Sequence, residues 1–526
     1  MSTGGIFNLI TNDGKQDRML MASELLSKRL AEIRAARKGM ENPNPTLADI
    51  ERTHILFMNA HFKPFAAIAY EYNKVTANNP TLGSKVQFSI PQFGDFFSDM
   101  VVHVRFDNPT VSVTGAAAGQ ADECAIYRWC DYPGERLFQK VSFDVNGNPL
   151  DEYYPDTYNF HRQFFISESK RSGWNKCMGQ EQSVEAFSTY KSTADTTPQN
   201  ARAGVLYRNG FQTYKTEAGH IGNVAGVVNQ LELFVPLLFW FNTDPRLAIP
   251  SVAIPYGQRF INIDLASKEQ LLRVIANPGS SAALTNPSIT TPLINTFDLY
   301  INNIFVNPDI HDIFIARIGF TLVRVHRRQV TNVNKSSDNV LLQQLKWPIE
   351  TMFVGIRPTA NYAKNSTLNT TGSNTGLVEQ NMDDWHKFCQ VVRQASLATT
   401  TLAGTQAPYS TVKHQPHVTR LTVSAHGVPL YNNLPAKFFN SYVPLQYGGW
   451  NIATPTDPGA YMITFNLYPG TYQPSGHINV SRAREFYLQY TSTLVDSTNT
   501  AELIVNAVAI NFLLISDGSA TLRYAT

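Results

Sequence analysis

The stretch ELFVPLLFWFNTDPRLAIPSVAIPYGQRFINIDL, Glu232–Leu265, decides the fold of this chain. Apolar side chains occupy alternate positions around its start: Leu231, Leu233, Val235, Leu237, Phe239 and Phe241. A period of two predicts a strand with one face on a core. The segment from Asn242 to Pro245 breaks the alternation, and Pro250 and Pro255 mark strand ends or bends because proline lacks an N–H. The alternation resumes at Ile261, so the stretch predicts strand, sharp bend and strand.

Parts of this stretch recur downstream. Five residues return 224 positions later: Phe241, Asn242, Pro245, Pro250 and Ser251 become Phe465, Asn466, Pro469, Pro474 and Ser475. A second motif, VNGNPL at Val145–Leu150, returns 280 positions later as AHGVPL at Ala425–Leu430. Proline and glycine recur by chance in any β-rich chain, but both motifs keep their order, which favours tandem duplication of one β domain.

The duplication makes a geometric prediction. We expect the two halves to superpose with four residue pairs in register: Gly147 on Gly427, Pro149 on Pro429, Pro245 on Pro469, and Pro250 on Pro474. The two spacings differ by 56 residues, so the first half carries the excess. We expect that excess to form loops within residues 151–230 rather than an added strand layer.

Short apolar alternations separated by proline and glycine fill most of the chain. The predicted strands lie at 86–90, 102–106, 137–145, 299–306, 319–330, 348–356, 418–425, 460–467, 484–491 and 502–516. Helical periodicity largely ends after residue 53. Many short strands with turn residues between them predict an all-β protein built from sandwiches or barrels.

Composition shifts suggest four regions. Residues 1–53 form an N-terminal arm, 54–276 a first β domain with long loops, and 277–295 a linker rich in serine, threonine and proline. Residues 296–526 then form a second β domain, whose most polar stretch, 361–382, predicts an exposed loop.

The arm carries the one clear helical pattern, from Gln16 to Lys38. Apolar residues fall at helical spacing there, and lysines and arginines cover the remaining surface, with several near the C-terminal end. Gly39 ends the helix. Two interpretations stay open: a helix packed on its own domain, or an arm that touches a partner or an acidic membrane surface.

Composition narrows the function classes. The 526 residues are 16% charged and 11% aromatic, which is typical of a globular chain. A net charge of +2 gives no general attraction to nucleic acid. The N-terminus lacks a signal-peptide run, and no apolar stretch has the ~20 residues that a membrane-spanning helix needs. The four cysteines form no CxxC pair, which favours reduced thiols in a cytosolic chain.

The sequence predicts no catalytic, cofactor-binding or metal-binding residues. It lacks GxxxxGK[ST], GxGxxG, GxSxG and HExxH, and none of its twelve histidines forms the His-x-His pair of a cupin-type jelly-roll enzyme. His414 and His417 lie in a polar loop and are interpreted as a surface pair. Arg324 and Arg328 could suggest a phosphate contact, but they share one strand face, which favours a solvated or interfacial role.

Longer runs of sequence resemble a known family. They include NAHFKPF (59–65), IPQFGDFFSDMV (90–101), FDVNGNPLDEY (143–153), LAIPSVAIPYGQRFINI (247–263), LYINNIFVNPDIH (299–311) and YQPSGHINVSRAREFY (472–487). Together with shorter matches they cover nearly the whole chain. The chain resembles the major capsid proteins of African swine fever virus and of related asfarvirus-like giant viruses of amoebae, which are nucleocytoplasmic large DNA viruses.

The resemblance implies a fold and a function. It implies two tandem eight-stranded jelly rolls, a double jelly roll, and a virion structural protein without catalysis. It further implies a homotrimeric, pseudo-hexameric capsomer that contacts neighbouring capsomers in an icosahedral shell. Minor capsid proteins or an inner membrane layer are expected partners of the arm, a folding chaperone is a further expected partner, and assembly is expected in the host cytoplasm. No sequence-specific nucleic acid binding is expected.

Other function classes remain open at this point. One is a carbohydrate- or receptor-binding β-sandwich protein on a virion surface, which would bind glycans as a monomer. A jelly-roll enzyme is the other, and the missing His-x-His pair weakens it. Light scattering with negative-stain imaging separates a trimer from both.

Overall fold

Antiparallel strands account for most of the structure. The computed structural model describes residues 32, 68–107, 111–112, 125–180, 231–254, 258–276, 288–289, 291–306, 319–362, 384–394, 411–481, 485–516 and 519–524. The predicted arm helix and almost all of the 361–382 loop lie outside these residues. Residues 68–526 belong to one compact unit.

The first jelly roll consists of two facing sheets. Its strands are β1 (Ile68–Thr76), β2 (Lys85–Ser89), β3 (Phe96–Phe106), β4 (Val111–Ser112), β5 (Ala125–Trp129), β6 (Phe138–Val145), β7 (Asn148–Tyr153), β8 (Glu232–Pro236), β9 (Ile249–Pro250), β10 (Arg259–Leu265), β11 (Leu272–Ala276), β12 (Ser288–Ile289) and β13 (Ile294–Val306). Sheet 1A has the order β1-β13-β3-β8, with β9 paired to β3, and sheet 1B has the order β2-β10-β6-β7. The pairs β4–β12 and β5–β11 form two small extra ladders.

The second jelly roll repeats this order. Its strands are β14 (Gly319–Val333), β15 (Ser337–Leu341), β16 (Pro348–Pro358), β17 (Gln390–Gln394), β18 (Thr411–Gln415), β19 (Val418–Ala425), β20 (Val428–Pro435), β21 (Ala460–Thr464), β22 (Ile478–Asn479), β23 (Phe486–Ser492), β24 (Ala501–Ser516) and β25 (Ser519–Leu522). Sheet 2A has the order β14-β24-β16-β21, with β22 on β16 and β25 on β24, and sheet 2B has the order β15-β23-β19-β20. The double jelly roll, with eight main strands in each half, is therefore confirmed.

Short helices connect some of these strands. They are α1 (Pro133–Leu137), α2 (Pro155–Phe164), α3 (Glu168–Cys177), α4 (Trp240–Thr243), α5 (Lys268–Leu271) and α6 (Val443–Tyr447), with 3-10 turns at Pro245–Leu247, Ser251–Ala253 and Thr359–Asn361 and a π-helical turn at Phe438–Tyr442. Sequence analysis expected loops in the region of α2 and α3. Instead, both helices are regular and Trp174 of α3 is buried; residues 181–230 lie outside the described part.

The predicted boundary between the halves is wrong at one strand. Sequence analysis began the second domain at residue 296, but residues 298–306 of β13 pair with the whole of β1, and β13 pairs with β3 on its other side. It is therefore the central strand of sheet 1A. The stretch 277–295 therefore leads into the last strand of the first jelly roll and does not separate the two domains. Its composition predicted a linker because a polar loop between two strands resembles a linker between domains.

The two hairpins that carry the repeat are equivalent, as predicted. The β6–β7 turn has Asn146 and Gly147 in left-handed conformation, and the β19–β20 turn has His426 and Gly427 in the same conformation. Each is a two-residue turn of the type that suits the twist of antiparallel strands. The register after the turn also matches, because Pro149 faces Asp144 and Pro429 faces Ser424.

The predicted superposition of Pro250 on Pro474 is wrong. Pro250 lies in β9 opposite Phe96, whereas the residue in the corresponding place of β22 is Asn479, opposite Pro348. Pro474 precedes that strand. The shared proline therefore marks the same bend in both halves but not the same ladder position.

Candidate functional site

Helix α2 joins the two jelly rolls. It follows β7, the edge strand of sheet 1B, and begins with Pro155 and Asp156 in its first turn. Proline suits the first helical position because its missing N–H would have no partner there, and an acidic residue suits the positive end of the helix dipole. The helix lies on the outer face of sheet 2A, the face turned away from the core of the second jelly roll.

Aromatic rings form the apolar part of this contact. The rings of Phe160, Phe164 and Phe165 lie 6.0, 4.9 and 5.6 Å from that of Phe353 on β16. Phe160 also stacks on Phe388 at 4.7 Å. Fully burying one phenylalanine contributes about 1.5–3 kcal/mol, so this cluster is a main source of cohesion between the halves.

An ion network surrounds the aromatic cluster. Asp156 accepts hydrogen bonds from Arg328 Nη2 at 2.6 Å and from Arg357 Nη1 at 3.2 Å. Arg357 also donates to Glu502 at 2.8 Å. Burial alone raises the pKa of the Asp156 carboxyl, but Arg357 and Arg328 outweigh burial and hold that pKa below its usual range. Asp156 is therefore charged in the folded protein.

A second polar contact, between Asp151 and His326, ties β7 to β14. Asp151 accepts a hydrogen bond from the backbone N–H of His326 at 2.9 Å, and its other oxygen lies 3.0 Å from Nδ1 of the same histidine. Asp151 and Leu150 are each only 2% exposed because β14 covers this edge. The edge strand of the first jelly roll is thus closed by the second.

Neutral hydrogen bonds complete the contact. Asn506 donates to Thr157 at 2.9 Å, and Asn159 donates to the carbonyl of His386 at 2.7 Å. The Gln163 amide oxygen accepts the backbone N–H of Thr456 at 2.9 Å. Asn506 Oδ1 and Gln163 Nε2 are buried without a hydrogen-bond partner among the described residues, so the amides are only half satisfied, but each bond links one half of the chain to the other.

A cavity of about 580 Å³ remains beside α2. Its lining includes His161, Lys170, Arg324, Glu350 and Asn506 from both jelly rolls. Apolar side chains such as Phe160, Leu238 and Trp240 line much of the rest. His161 borders this cavity, and its pKa is lowered to about 4 by burial and by the nearby His326.

The corresponding edge of the second jelly roll is uncovered. Strand β20 follows the same hairpin as β7, yet most of its side chains are exposed. Leu430, the counterpart of Leu150, is 41% exposed. The region after it continues the pattern, since Tyr442 and Leu445 are exposed and Trp450 is fully so. We call Val428–Trp450 the β20–α6 surface.

This surface is nearly uncharged. Of its residues only Lys437 carries a charge, and three of its exposed side chains are aromatic: Tyr442, Tyr447 and Trp450. Fewer charges and more tyrosine and tryptophan distinguish the buried centres of protein interfaces from ordinary surface. The β20–α6 surface therefore has the composition of an interface.

Strand pairing identifies the counterpart of the covered face of sheet 2A. Residues that lie opposite each other on neighbouring strands form a row across a sheet. The row that contains the short strand β9 in sheet 1A is Ile249, Phe97, Asn303 and Glu71. The matching row in sheet 2A, which contains β22, is Ile478, Ile349, Ala509 and Val325. The next residues on the outer strands are Tyr72 and His326, so these two occupy equivalent positions. By the same pairing Lys74 corresponds to Arg328.

The outer face of sheet 1A is exposed and aromatic. Tyr70 and Tyr72 are 63% and 57% exposed. His103 stacks between Phe234 at 4.5 Å and Tyr300 at 5.8 Å. Tyr72 thus stands where sheet 2A carries His326, whereas Lys74, which pairs with Asp298, stands where it carries Arg328.

The candidate residues from sequence lie in different places. Arg324 pairs with Glu350 of the same jelly roll at 2.5 Å, and Arg328 pairs with Asp156 of the other. The prediction of a surface pair is wrong for His417, which is buried and hydrogen-bonded to Ser492 at 3.0 Å.

The described ranges contain none of three other features: a metal site, a membrane-spanning helix or a disulfide. Within them, no group of histidine, cysteine and carboxylate side chains could hold a metal ion, and none of the helices described is both long and apolar enough to cross a membrane. Cys130, Cys177 and Cys389 form no disulfide there.

Sequence reasoning missed the residues that join the halves. Asp156, Phe160 and Phe164 lie in a region interpreted as surface loops. Their signal was present, because a proline followed by an acidic residue and apolar residues four apart is typical of a helix start with one apolar face. The strand-rich surroundings obscured it.

Comparisons with known proteins agree with this architecture. Residues 59–307 match the family described as "Major capsid protein N-terminus", and residues 306–521 match "Large eukaryotic DNA virus major capsid protein". The major capsid protein of African swine fever virus (isolate Warthog/Namibia/Wart80/1980) is 37% identical, over 100% of both chains.

Solved structures match as well. The Faustovirus major capsid protein is 36% identical and superposes with a TM-score of 0.71, covering 96% of this chain and 100% of that one. A chain of the PBCV-1 virus capsid, at 19% identity and a TM-score of 0.58, covers 90% of this chain and 100% of its own, and shows the same fold. The two family matches meet at residues 306–307, where β13 ends.

Proposed function

Because the chain belongs to the family of major capsid proteins of large eukaryotic DNA viruses, we propose that it is the main building block of a virion shell. In this proposal three copies form a pseudo-hexameric capsomer, and many capsomers tile an icosahedral capsid. The chain acts as a structural protein rather than an enzyme.

One observation carries the proposal. Two jelly rolls of the same strand order are held side by side by a buried contact of aromatic rings and ion pairs. Three such chains present six similar lobes, so a three-fold object acquires a nearly six-fold outline. Tiles of that outline pack without large gaps, and weak contacts between tiles suffice because each tile makes many.

The oligomeric state tests the proposal directly. Light scattering of the purified chain at micromolar concentration should give three times the mass of one chain, and negative-stain images should show hexagonal particles. A monomer that binds glycans would contradict the capsomer and favour the carbohydrate-binding alternative.

The N-terminal arm is proposed to serve assembly rather than trimer formation. Its basic, amphipathic segment Gln16–Lys38 would face minor capsid proteins or an inner membrane layer. A chain that lacks residues 1–50 should form trimers in normal yield but fail to form shells. Loss of the trimer itself would instead assign the arm to the protomer.

Folding of the chain is proposed to need help in the host cytoplasm, where capsid assembly would take place. The central strands pair with distant partners, as β1 does with β13 and β14 with β24. Such non-local pairing folds slowly and exposes aggregation-prone edges. Efficient unaided refolding from denaturant at micromolar protein would remove the need for a chaperone.

A further inference from the structure

The cavity beside α2 has the size and the lining of a small-molecule site. Its volume of about 580 Å³ lies within the range of about 300–1,000 Å³ that is typical of such pockets. Its lining combines an apolar wall with two hydrogen-bond donors that lie close together. We propose that the cavity binds an amphipathic carboxylate, a molecule with one carboxylate and an apolar body, such as a medium-chain fatty acid.

The apolar wall comes from both jelly rolls. The first contributes Phe160, Leu238 and Trp240, and the second contributes Phe353 of β16 and Val508 of β24. All of these except Val508 are at most 6% exposed, and the rings of Phe160 and Phe353 lie 6.0 Å apart. An apolar body placed against this wall leaves water and contacts both halves, and the gain is roughly proportional to the apolar area that it buries.

Two donors on the lining suit a carboxylate. Lys170 is exposed, and its ammonium forms no ion pair with any residue that the structure describes. The ring nitrogens of His161 form no hydrogen bond within the same residues, and burial keeps this ring neutral, with one N–H to donate. Lys170 lies one helical turn before Trp174 on α3, and the Trp174 ring lies 5.4 Å from that of His161. The two donors therefore border the same part of the cavity.

The other charges on the lining are already engaged. Arg324 donates to both carboxylate oxygens of Glu350, so these two charges offset each other. Asp99 on β3 accepts a hydrogen bond from the hydroxyl of Tyr72 at 3.1 Å. This carboxylate would attract an amine, so an amine with the same apolar body is the competing ligand. Two neighbouring donors without partners, against one acceptor that has a partner, favour the carboxylate.

A ligand in this cavity would link the two jelly rolls, because its wall belongs to both. A molecule that binds the folded chain and not the unfolded chain raises the stability of the folded chain as its concentration rises. The inference goes beyond the proposed function and does not depend on it. The cavity lies within one chain, so binding is measured per chain whether or not the chain forms a trimer.

Titration calorimetry of the purified full chain with decanoate, decanol and decylamine tests the cavity and the head group together. We expect one decanoate per chain, bound about tenfold more tightly than decanol or decylamine because charge-assisted hydrogen bonds are the stronger ones. The melting temperature should rise with decanoate concentration. No decanoate binding at millimolar concentration would mean that the cavity holds only water, and the inference would be wrong. Equal binding of decylamine would assign the head group to Asp99 and overturn the carboxylate.

Lys170→Gln removes the charge at the cavity and keeps a similar side-chain length. We expect this variant to bind decanoate about tenfold more weakly, with decanol unchanged. Lys176→Gln is the matched control, because Lys176 is exposed on the same helix but does not line the cavity. It should bind decanoate like the unaltered chain. Equal decanoate affinity of the two variants, whether unchanged or weakened, would show that Lys170 does not contact the carboxylate.

Val508→Phe tests the apolar part of the site by placing a ring in the cavity. We expect this variant to lose both decanoate and decanol binding while its circular dichroism and cooperative unfolding are retained. Decanoate binding that persists in the folded variant would place the ligand elsewhere and overturn the inference. Competition on the unaltered chain gives the same information without a substitution. Excess decanol should displace decanoate, and a lack of displacement would show that the two do not share the cavity.

Discussion

The two edge hairpins of this chain have the same backbone and opposite surroundings. Strand β7 is covered by the second jelly roll and carries Asp151, which is hydrogen-bonded to His326, whereas β20 is exposed and carries Tyr431 at the same position. One fold, used twice, therefore carries a buried polar contact within the chain and an exposed surface with few charges at its other end. The difference shows that the repeated part is the scaffold, while the side chains decide which neighbour each copy of the scaffold accepts.

Removing the central carboxylate of the covered contact should have the largest effect. Asp156→Ala leaves Arg328 and Arg357 without their shared partner inside the interface. Breaking one side of a buried ion pair costs about 3–5 kcal/mol, and we expect a loss of that size in the free energy of unfolding. Urea denaturation followed by tryptophan fluorescence measures it.

Asp244→Ala is the control for that variant. Asp244 forms an ion pair with Arg246 at 2.6 Å, but the arginine is well exposed. Exposed pairs contribute little, so this variant should unfold close to the unaltered chain. Equal losses in the two variants would mean that burial of the network does not matter to the joining of the halves.

The leucines of the two hairpins give the most direct comparison. Leu150→Ala removes a covered side chain and should cost about 2–5 kcal/mol at every protein concentration. Leu430→Ala removes an exposed one, so its cost should appear only when copies associate, and should vanish on dilution. Unfolding curves at several protein concentrations check both. A large cost of Leu430→Ala in the dissociated chain would contradict the exposed assignment of β20.

Sequence reasoning predicted most strands because their evidence is local. The alternation of Ile261 and Ile263 needs only a pleated strand with one buried face, and β10 shows it. The assignment of β13 failed for the opposite reason. Which domain a strand joins depends on hydrogen bonds to β1 and β3, whose paired residues lie at least 188 positions away in sequence, and no periodicity records those partners.

The joining contact was less predictable than the fold. Arg328 could be placed on a strand face from the alternation around it, but its partner Asp156 lies 172 residues earlier. Nothing in either local sequence shows that the two meet. The repeat of the hairpins, in contrast, was visible because Gly147 and Gly427 are required by their own turns.

Acid should weaken the covered contact in two separate pH ranges. Burial and the neighbouring His326 lower the pKa of His161 to about 4, against about 6.5 for a histidine in an unfolded chain. The unfolded chain therefore binds this proton first, and stability falls as the pH drops from about 6.5 to about 4, by on the order of 1–3 kcal/mol. The pKa of Asp156 is lowered instead, so its contribution is lost only below its ordinary value of about 3.9.

His161→Phe separates these two ranges. Phenylalanine keeps an aromatic ring between Phe165 and Trp174, whose rings lie 5.3 and 5.4 Å from that of His161. We expect the unfolding free energy of this variant to change less between pH 6.5 and 4, with the steeper loss at lower pH retained. An unchanged slope between pH 6.5 and 4 would assign it to another group, such as His417, whose pKa burial also lowers.

The smallest expected effect is also the strictest test of the scaffold itself. Gly147 and Gly427 have φ angles of +79° and +77°, where a Cβ is disfavoured. An alanine at Gly147 would meet no heavy atom within 4 Å, and one at Gly427 only a Glu485 carboxylate oxygen at 3.8 Å, so neither substitution creates a clash. The cost is therefore that of the left-handed backbone alone, about 1–2 kcal/mol. The turn residues are exposed in both hairpins, so this cost does not depend on what covers the strands, and Gly147→Ala and Gly427→Ala should lower the unfolding free energy equally. A clearly larger loss at Gly147 would show that the neighbouring jelly roll helps to hold its turn, and the two hairpins would then differ in backbone as well as in side chains.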